Sequence, residues 1–244
     1  MKKFIFATDL HGDMQDPDTV SALYEFTKLY KPDVRIFGGD LFDFRNFRKG
    51  ASPEEREMSL RGDIEMGFEF LKNFKPHVFL RGNHDERLWD SAKNGKGVLK
   101  DWCDLAVSQI EKKVKALKCK MLPYDKRRGI FELEKLRFVH GFNAGVYATR
   151  VTALVYAPEG GAVIHGHNHA FSNSTISKVH RTEGIGVGAL ASLDMDYNRS
   201  HVSGLSHGNG WCYGYVDGDE WDVINAKRGG DGKWRVATNL KKIG

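Results

Sequence analysis

Short apolar runs alternate along this chain with longer stretches whose apolar residues recur at helical spacing. Lys3–Ala7, Val34–Phe37 and His77–Leu80 are β-branched or aromatic runs, the pattern of buried strands. Between the first two, Asp16 followed by Pro17 supplies an N-cap and first helical residue for a helix reaching to about Tyr30. Between the second and third, Ser52-Pro53-Glu54-Glu55 reads as a capping box, and Ile64, Phe68 and Leu71 carry the helix to about Phe74. This alternation predicts parallel βαβ units. In the second half, Leu136–His140 and Ala162–His165 read as strands around a helix over Gly145–Tyr156. Beyond Gly166, the runs Thr175–Val179, Gly184–Leu190, Cys212–Val216 and Trp221–Asn225 are short and separated by Gly-rich or polar turns. They predict a second, more antiparallel sheet. No repeat or low-complexity linker interrupts the chain, so one α/β domain over residues 1–244, built on two sheets, is expected.

Polar residues cluster where the predicted strands end, the place where open α/β sheets bind ligands. Asp9-Leu10-His11-Gly12-Asp13 follows the first strand, Gly38-Gly39-Asp40-Leu41-Phe42-Asp43 the second and Arg81-Gly82-Asn83-His84-Asp85 the third. His140-Gly141 and His165-Gly166-His167-Asn168-His169 end two later strands, so six of the ten histidines fall in these segments. A lone strand-end His or Asp is ordinarily a cap or a satisfied polar group. Five such segments in register with strand ends point to a metal site. Imidazole and carboxylate donors without thiolate suit Mn, Fe, Zn, Ni or Co rather than a purely hard Mg or Ca cage. The donors outnumber what one ion can take, which points to two ions sharing a carboxylate, a pair that ~3.5–4 Å apart can clamp a phosphoryl group.

Composition narrows the class. With 41% hydrophobic and 28% charged residues among 244, the chain reads as globular, and no apolar run approaches the ~20 residues of a membrane span. The start, Met1-Lys2-Lys3 running straight into a strand, lacks signal-peptide features. Cys103, Cys119 and Cys212 form no CxxC pair and read as free thiols of a reducing compartment, so a cytoplasmic location without membrane partners is expected. The formal charge is +5. A basic segment at 225–244 carries Lys227, Arg228, Lys233, Arg235, Lys241 and Lys242 against Asp231, and a second basic run covers Lys112–Arg128. Such runs are either solvated surface or a contact for polyanions such as nucleic acid.

The ordered set Asp9-x-His11, Gly39-Asp40-x-x-Asp43, Gly82-Asn83-His84-Asp85, His140-Gly141 and Gly166-His167-x-His169 resembles the calcineurin-like metallophosphoesterase superfamily. The resemblance implies two packed mixed β-sheets flanked by helices, a four-layer α/β/β/α sandwich. It also implies two divalent ions, Mn2+ first, with Fe, Zn, Ni, Co or Mg as alternatives. One would be held by Asp9, His11, Asp40 and His169, the other by Asp40, Asn83, His140 and His167. His84 matches the family's catalytic histidine, and Asp43 the acid that orients it. The implied reaction is hydrolysis of a phosphate ester by in-line attack of a metal-bridging water or hydroxide.

His165, outside the motif, reads as structural, and Asp13 and Asp85, beside ligands, as either supports of the ligands or loop hydrogen-bonders. Arg45 is either a phosphate contact or a surface ion pair; Asn83 and His84 are further substrate candidates. The family's serine/threonine phosphatases carry arginine immediately after the second aspartate, where this chain has Phe44. Phosphodiesters, nucleotide or nucleic acid, are the expected substrates. A phosphomonoesterase or phosphoprotein phosphatase is the alternative, and a non-catalytic scaffold of the same fold belongs to another class. The polar stretch Leu193–Gly210 is either a substrate loop or a long connection.

Overall fold

Lys2–Ala7 form β1, whose alternation sets the layers of the molecule. Phe4 and Phe6 face one side, Ile5 and Ala7 the other, and all four are buried. A strand covered on both faces needs a layer on each. In this computed structural model, which describes residues 1–193 and 206–237, the chain supplies both. After β1 come α1 (Pro17–Tyr30), β2 (Val34–Phe37), α2 (Pro53–Glu57), α3 (Arg61–Phe74), β3 (Val78–Leu80), α4 (Asn83–Asn94), α5 (Gly97–Ala116) and β4 (Lys120–Leu122). Then follow β5 (Phe131–Leu133), β6 (Leu136–Val139), α6 (Ala148–Tyr156), β7 (Ala162–His165), β8 (Ser172–Ser177), β9 (Thr182–Gly186), β10 (Gly210–Asp217), β11 (Glu220–Arg228) and β12 (Trp234–Arg235).

Seven strands lie in the order β12-β11-β10-β1-β2-β3-β4, and five in the order β5-β6-β7-β9-β8. Strands β1 to β4 run parallel, and β10 pairs antiparallel with β1, Phe4 opposite Gly214. The inner core joins Phe4, Phe6 and Leu80 of the first sheet to Phe138, Ile164 and Ile185 of the second. The Phe4 and Phe138 rings meet edge to face at 5.3 Å. On the outer face of the first sheet, Ile5, Phe37 and Phe79 pack under Leu23, Phe70 and Leu88 of the helices. On the outer face of the second, Val139 and Val163 pack against Ala153 and Tyr156 of α6. The result is the expected α/β/β/α sandwich.

Several elements differ from the pattern expected of the sequence. The helix expected from Pro53 to Phe74 is two helices, because the Asn46 side-chain amide takes the Arg56 and Met58 carbonyls and ends α2. The capping box of Ser52 and Glu55 is present. Helix α5 was not anticipated, although its buried Cys103, Ala106, Ile110 and Val114 recur at helical spacing. Cys212–Val216 and Trp221–Asn225 join the first sheet rather than the second. There Trp211 and Tyr213 of β10 pack on Phe26 of α1, covering the β1 edge. The runs over Thr175–Val179 and Gly184–Leu190 form β8 and β9 a few residues earlier than expected.

The three cysteines are buried and unpaired. Among the described residues, no helix is long and apolar enough to cross a membrane. Part of the basic C-terminal segment is strand. Arg228 pairs with Asp18 and Arg235 with Asp231, whereas Lys241, Lys242 and most of Leu193–Gly210 lie outside the described residues.

Candidate metal centre

Loops at the C-terminal ends of β1, β2, β3, β6 and β7 converge on one spot. The loop after β1 lies along the loop after β2: Asp9 N–H donates to Gly39 O, and Leu10 and His11 N–H both donate to Asp40 O. This holds the backbone in unusual conformations. Asp9, His11, Asp40, His167 and His169 all have positive φ, between 51° and 71°. Such left-handed residues cost of order 1 kcal/mol or more each and persist only where their surroundings over-determine them, typically at functional sites. Gly39, at φ 104°, admits the close packing, since a Cβ there would stand 2.6 Å from His140 Nδ1.

The first donor group is Asp9, His11 and His169, whose donor atoms lie within 4.8 Å of one another. His11 donates from Nδ1 to Asp43 Oδ1 at 2.9 Å, which leaves Nε2 facing His169 Nε2 at 3.1 Å. Two imidazole nitrogens at that spacing subtend roughly a right angle at an ion ~2.1 Å from each. His169 Nε2 is 3.5 Å from Asp9 Oδ1. Burial alone would raise the Asp9 carboxyl, but His169, by hydrogen bond and charge, outweighs it and holds the group at about 2.

The second group is Asp40, His140 and His167. His140 donates from Nδ1 to Gly38 O at 2.8 Å, so Nε2 points inward, 3.3 Å from Asp40 Oδ2 and 3.0 Å from Asn83 Oδ1. His167 Nδ1 meets the same Asn83 oxygen at 2.8 Å. An imidazole nitrogen converging with two oxygen acceptors requires a positive centre, a proton or a metal ion. Accordingly, although burial pulls the His140 pKa down, the Asp40 carboxylate lifts it to about 9. Burial and the charge of His140 pull His167 down to about 4, keeping it unprotonated as a ligand must be. These N/O donors, oriented by their outer hydrogen bonds, fit divalent metal ions.

His84, the second residue of α4, lies beside these groups. Its backbone N–H donates to Asp40 Oδ1 at 2.8 Å, and its Nδ1 donates to Asp43 Oδ1 at 2.7 Å. One carboxylate oxygen of Asp43 therefore orients His84 and His11 together. Only the first of these roles was read from the sequence. Although burial opposes it, bonding to the two imidazoles holds the Asp43 carboxyl far below the usual carboxylate range. Arg45 sits in the site as an ion pair, donating from Nε to Asp43 Oδ2 at 2.9 Å and pairing with Asp13. Phe44 is fully buried and stacks on Phe42, so the backbone presents no side chain to substrate at that position. His165 is buried between Thr149 and the Gly166 carbonyl, and burial pulls it down to about 4.

Sequence reasoning missed or left open three supporting groups. Asp85 accepts N–H bonds from Gly82 and Phe42, tying the third loop to the second; it is a loop hydrogen-bonder. Arg87 donates to the Asp43 carbonyl and reaches His84. Asp63 accepts the N–H groups of Asp43 and Phe44 at 3.0 and 2.8 Å, bracing the loop from α3. A carboxylate on the buried face of a helix was the available signal for Asp63.

Burial raises the Asp63 carboxyl from 3.8 to about 6, against its two backbone bonds. The folded chain therefore holds this proton more tightly than the unfolded chain. The stability it contributes is full below the unfolded value and is lost as pH rises through the folded one, about 3 kcal/mol in all. In urea unfolding, Asp63→Asn should gain about that much relative to wild type between about pH 4 and about pH 7. A difference constant across that range would contradict it.

The seven proposed ligands, Asp9, His11, Asp40, Asn83, His140, His167 and His169, are thus brought together with His84, Asp43 and Arg45. A cleft of about 680 Å3 opens on Asp40, Asp43, His84, His167 and His169, and Arg45, Arg48, Arg87, Val146 and Phe171 also line it.

No curated protein sequence matches the chain. Among solved structures, the phosphoesterase Yfce of E. coli is similar at 14% identity and TM-score 0.43, over 97% of this chain and 100% of that one. Vps29 of Entamoeba histolytica complexed with Zn2+ is similar at 10% identity and TM-score 0.49, over 97% and 99%. Vps29 of Chaetomium thermophilum is similar at 13% identity and TM-score 0.49, over 97% and 92%. The profile of the family described as calcineurin-like phosphoesterase matches residues 2–171, a span holding every one of the converging loops. The chain belongs to the calcineurin-like phosphoesterase family.

Proposed function

We propose that the protein is a dinuclear metal-dependent phosphoesterase acting on phosphodiesters of nucleotides or nucleic acid. The observation that carries this is the place of Asp40 Oδ2, 3.9 Å from His11 Nε2 in one donor group and 3.3 Å from His140 Nε2 in the other. A buried carboxylate between two imidazole groups suits a bridge between two ions. Asp9, His11, Asp40 and His169 would hold one, and Asp40, Asn83, His140 and His167 the other. When bound, such ions supply positive charge to phosphoryl oxygens and lower the pKa of water.

The chain's own residues do the rest. Asp43 fixes the His84 ring through Nδ1, so that Nε2 is the atom offered to the phosphoryl oxygens or to the departing oxygen, which takes up a proton as the P–O bond breaks. The α4 N-terminus donates to Asp40 and holds it in place. The cleft has the size of sites that enclose nucleotide-like ligands. A polynucleotide would meet the basic segment 225–244 through Lys227 and Lys233, since Arg228 and Arg235 are engaged in ion pairs.

The test is hydrolysis of bis-p-nitrophenyl phosphate against p-nitrophenyl phosphate by chelated protein reloaded with Mn2+, Fe2+, Zn2+, Ni2+, Co2+ or Mg2+. Preference for the diester, lost on chelation and restored by Mn2+, is expected. Preference for the monoester would make the protein a phosphomonoesterase. Inactivity with every metal would make it a binding scaffold.

A further inference from the structure

The lining of the cleft ends a chain of hydrogen-bonding side chains that belongs to neither donor group. His165 Nδ1 lies 2.9 Å from the Gly166 carbonyl, His165 Nε2 lies 2.9 Å from Thr149 Oγ1, and Thr149 Oγ1 lies 2.6 Å from Ser172 Oγ. His165 and Thr149 are buried, and Thr149 and Ser172 line the cleft. Gly186 makes room for the hydroxyl pair, since a Cβ there would stand 2.4 Å from Ser172 Oγ and 3.0 Å from Thr149 Oγ1. The direction of each bond follows from the inner end of the chain. A carbonyl only accepts, so His165 Nδ1 carries a hydrogen and donates it to Gly166 O. Buried and bonded to no carboxylate, the ring is neutral, which leaves Nε2 an acceptor. Thr149 therefore donates its one hydrogen to Nε2, and Ser172 donates its one hydrogen to Thr149 Oγ1. The reverse order would set lone pairs against each other at 2.9 Å. Ser172 Oγ is left with lone pairs and no hydrogen to give.

Resting on the phosphoesterase reading, we infer that Ser172 is a specificity-determining residue that accepts a hydrogen bond from a donor group of the substrate. That donor is the hydroxyl that ribose has and deoxyribose lacks, or an amino group of the base. A free serine rotates to suit either a donor or an acceptor; one held in this way does not. Phosphoryl oxygens, base carbonyls and ether oxygens find no partner in it, and any of them placed there would leave two acceptors facing each other. An O–H or N–H completes the bonding of Ser172 without disturbing the chain behind it. Such a site discriminates more strongly than an apolar pocket, because an analogue lacking the donor leaves a desolvated oxygen unpaired. Thr149 and His165 are positioning residues, acting through Ser172 by fixing where its hydrogen goes.

The experiment uses the full chain loaded with Mn2+ and the dinucleotides UpU, dUpdU, CpC and dCpdC, with bis-p-nitrophenyl phosphate as a diester that has no donor group. Wild type, Ser172→Ala and Thr149→Val are compared by kcat/KM and by the Mn2+-dependent rise in Tm. Wild type should prefer the substrate bearing the donor by about tenfold or more. UpU over dUpdU assigns the sugar hydroxyl, and CpC over UpU the base amino group. Ser172→Ala should bring that ratio to within about twofold of one, with the rise in Tm retained. Thr149→Val should lower the ratio only in part, because Ser172 regains a hydrogen free to turn either way. No preference in wild type, or one that both variants leave unchanged, would overturn the inference alone. Turnover confined to bis-p-nitrophenyl phosphate would do the same. A preference lost together with the rise in Tm would also overturn it, leaving the chain a brace for the loop of His167. A wild type that takes up Mn2+ but hydrolyses none of these diesters would overturn the phosphoesterase reading as well.

Discussion

Asp40→Asn is expected to abolish both paired metal binding and turnover. The substitution keeps the shape of a side chain that is 2% exposed and packed against Gly82, so folding is not the variable. Its amide oxygen would take the His84 N–H now bound by Oδ1, which turns the NH2 group toward His11 and His140. A donor in place of a carboxylate repels any cation between those imidazoles. In wild type, Mn2+ at about 100 times its dissociation constant should raise Tm by about 5–10 °C, by mass action on the folded state. That rise should vanish in Asp40→Asn, and kcat/KM should fall about a thousandfold or more. A variant that keeps the Mn2+-dependent shift would remove Asp40 from the bridge.

The second large effect falls on His84. His84→Ala should lower kcat by about 10²- to 10⁴-fold, the usual contribution of one positioned acid-base or oxyanion-stabilising group. Its side chain belongs to neither of the two proposed coordination shells, so the Mn2+-dependent rise in Tm should survive. Asp43→Asn makes the contrast, because Asp43 also holds His11. It should lose turnover and, in addition, about 10- to 100-fold in metal affinity through the misoriented imidazole. Wild-type turnover in His84→Ala, or loss of Mn2+ from it, would exclude the role assigned to His84.

Much of this site was legible because the strands that present it are buried on both faces. Runs such as Phe4–Ala7 and Val34–Phe37 mark where strands stop, and the polar residues just beyond them mark the loops that converge. The pairing of distant elements was not legible. The β10 sequence carries no local sign that it closes the edge of β1 rather than joining β8 and β9. Only the packing of Trp211 and Tyr213 on Phe26 reveals it. The shared oxygen of Asp43 was hidden for the same reason, since His11 and His84 reach it from separate loops. Left-handed backbone at Asp9, His11 and Asp40 leaves no trace in residue type, because glycine, its usual signal, is absent from those positions.

The pairing of β1 with β10 also orders events in time. β1 is synthesised well before its antiparallel neighbour, which follows only after residue Asn209. Every proposed donor has been made by His169, yet the Leu190 amide that closes on the Thr8 and Asp9 carbonyls comes later, and β10 later still. Chemistry is complete well before its frame. Pairing across most of the chain is slow to form, and until it does β1 offers a bare row of backbone donors and acceptors beside Phe4, Ile5 and Phe6. Metal capture in the final geometry is therefore a late event in the life of each new chain. The unfinished β1 edge is meanwhile the surface most in need of protection from its neighbours.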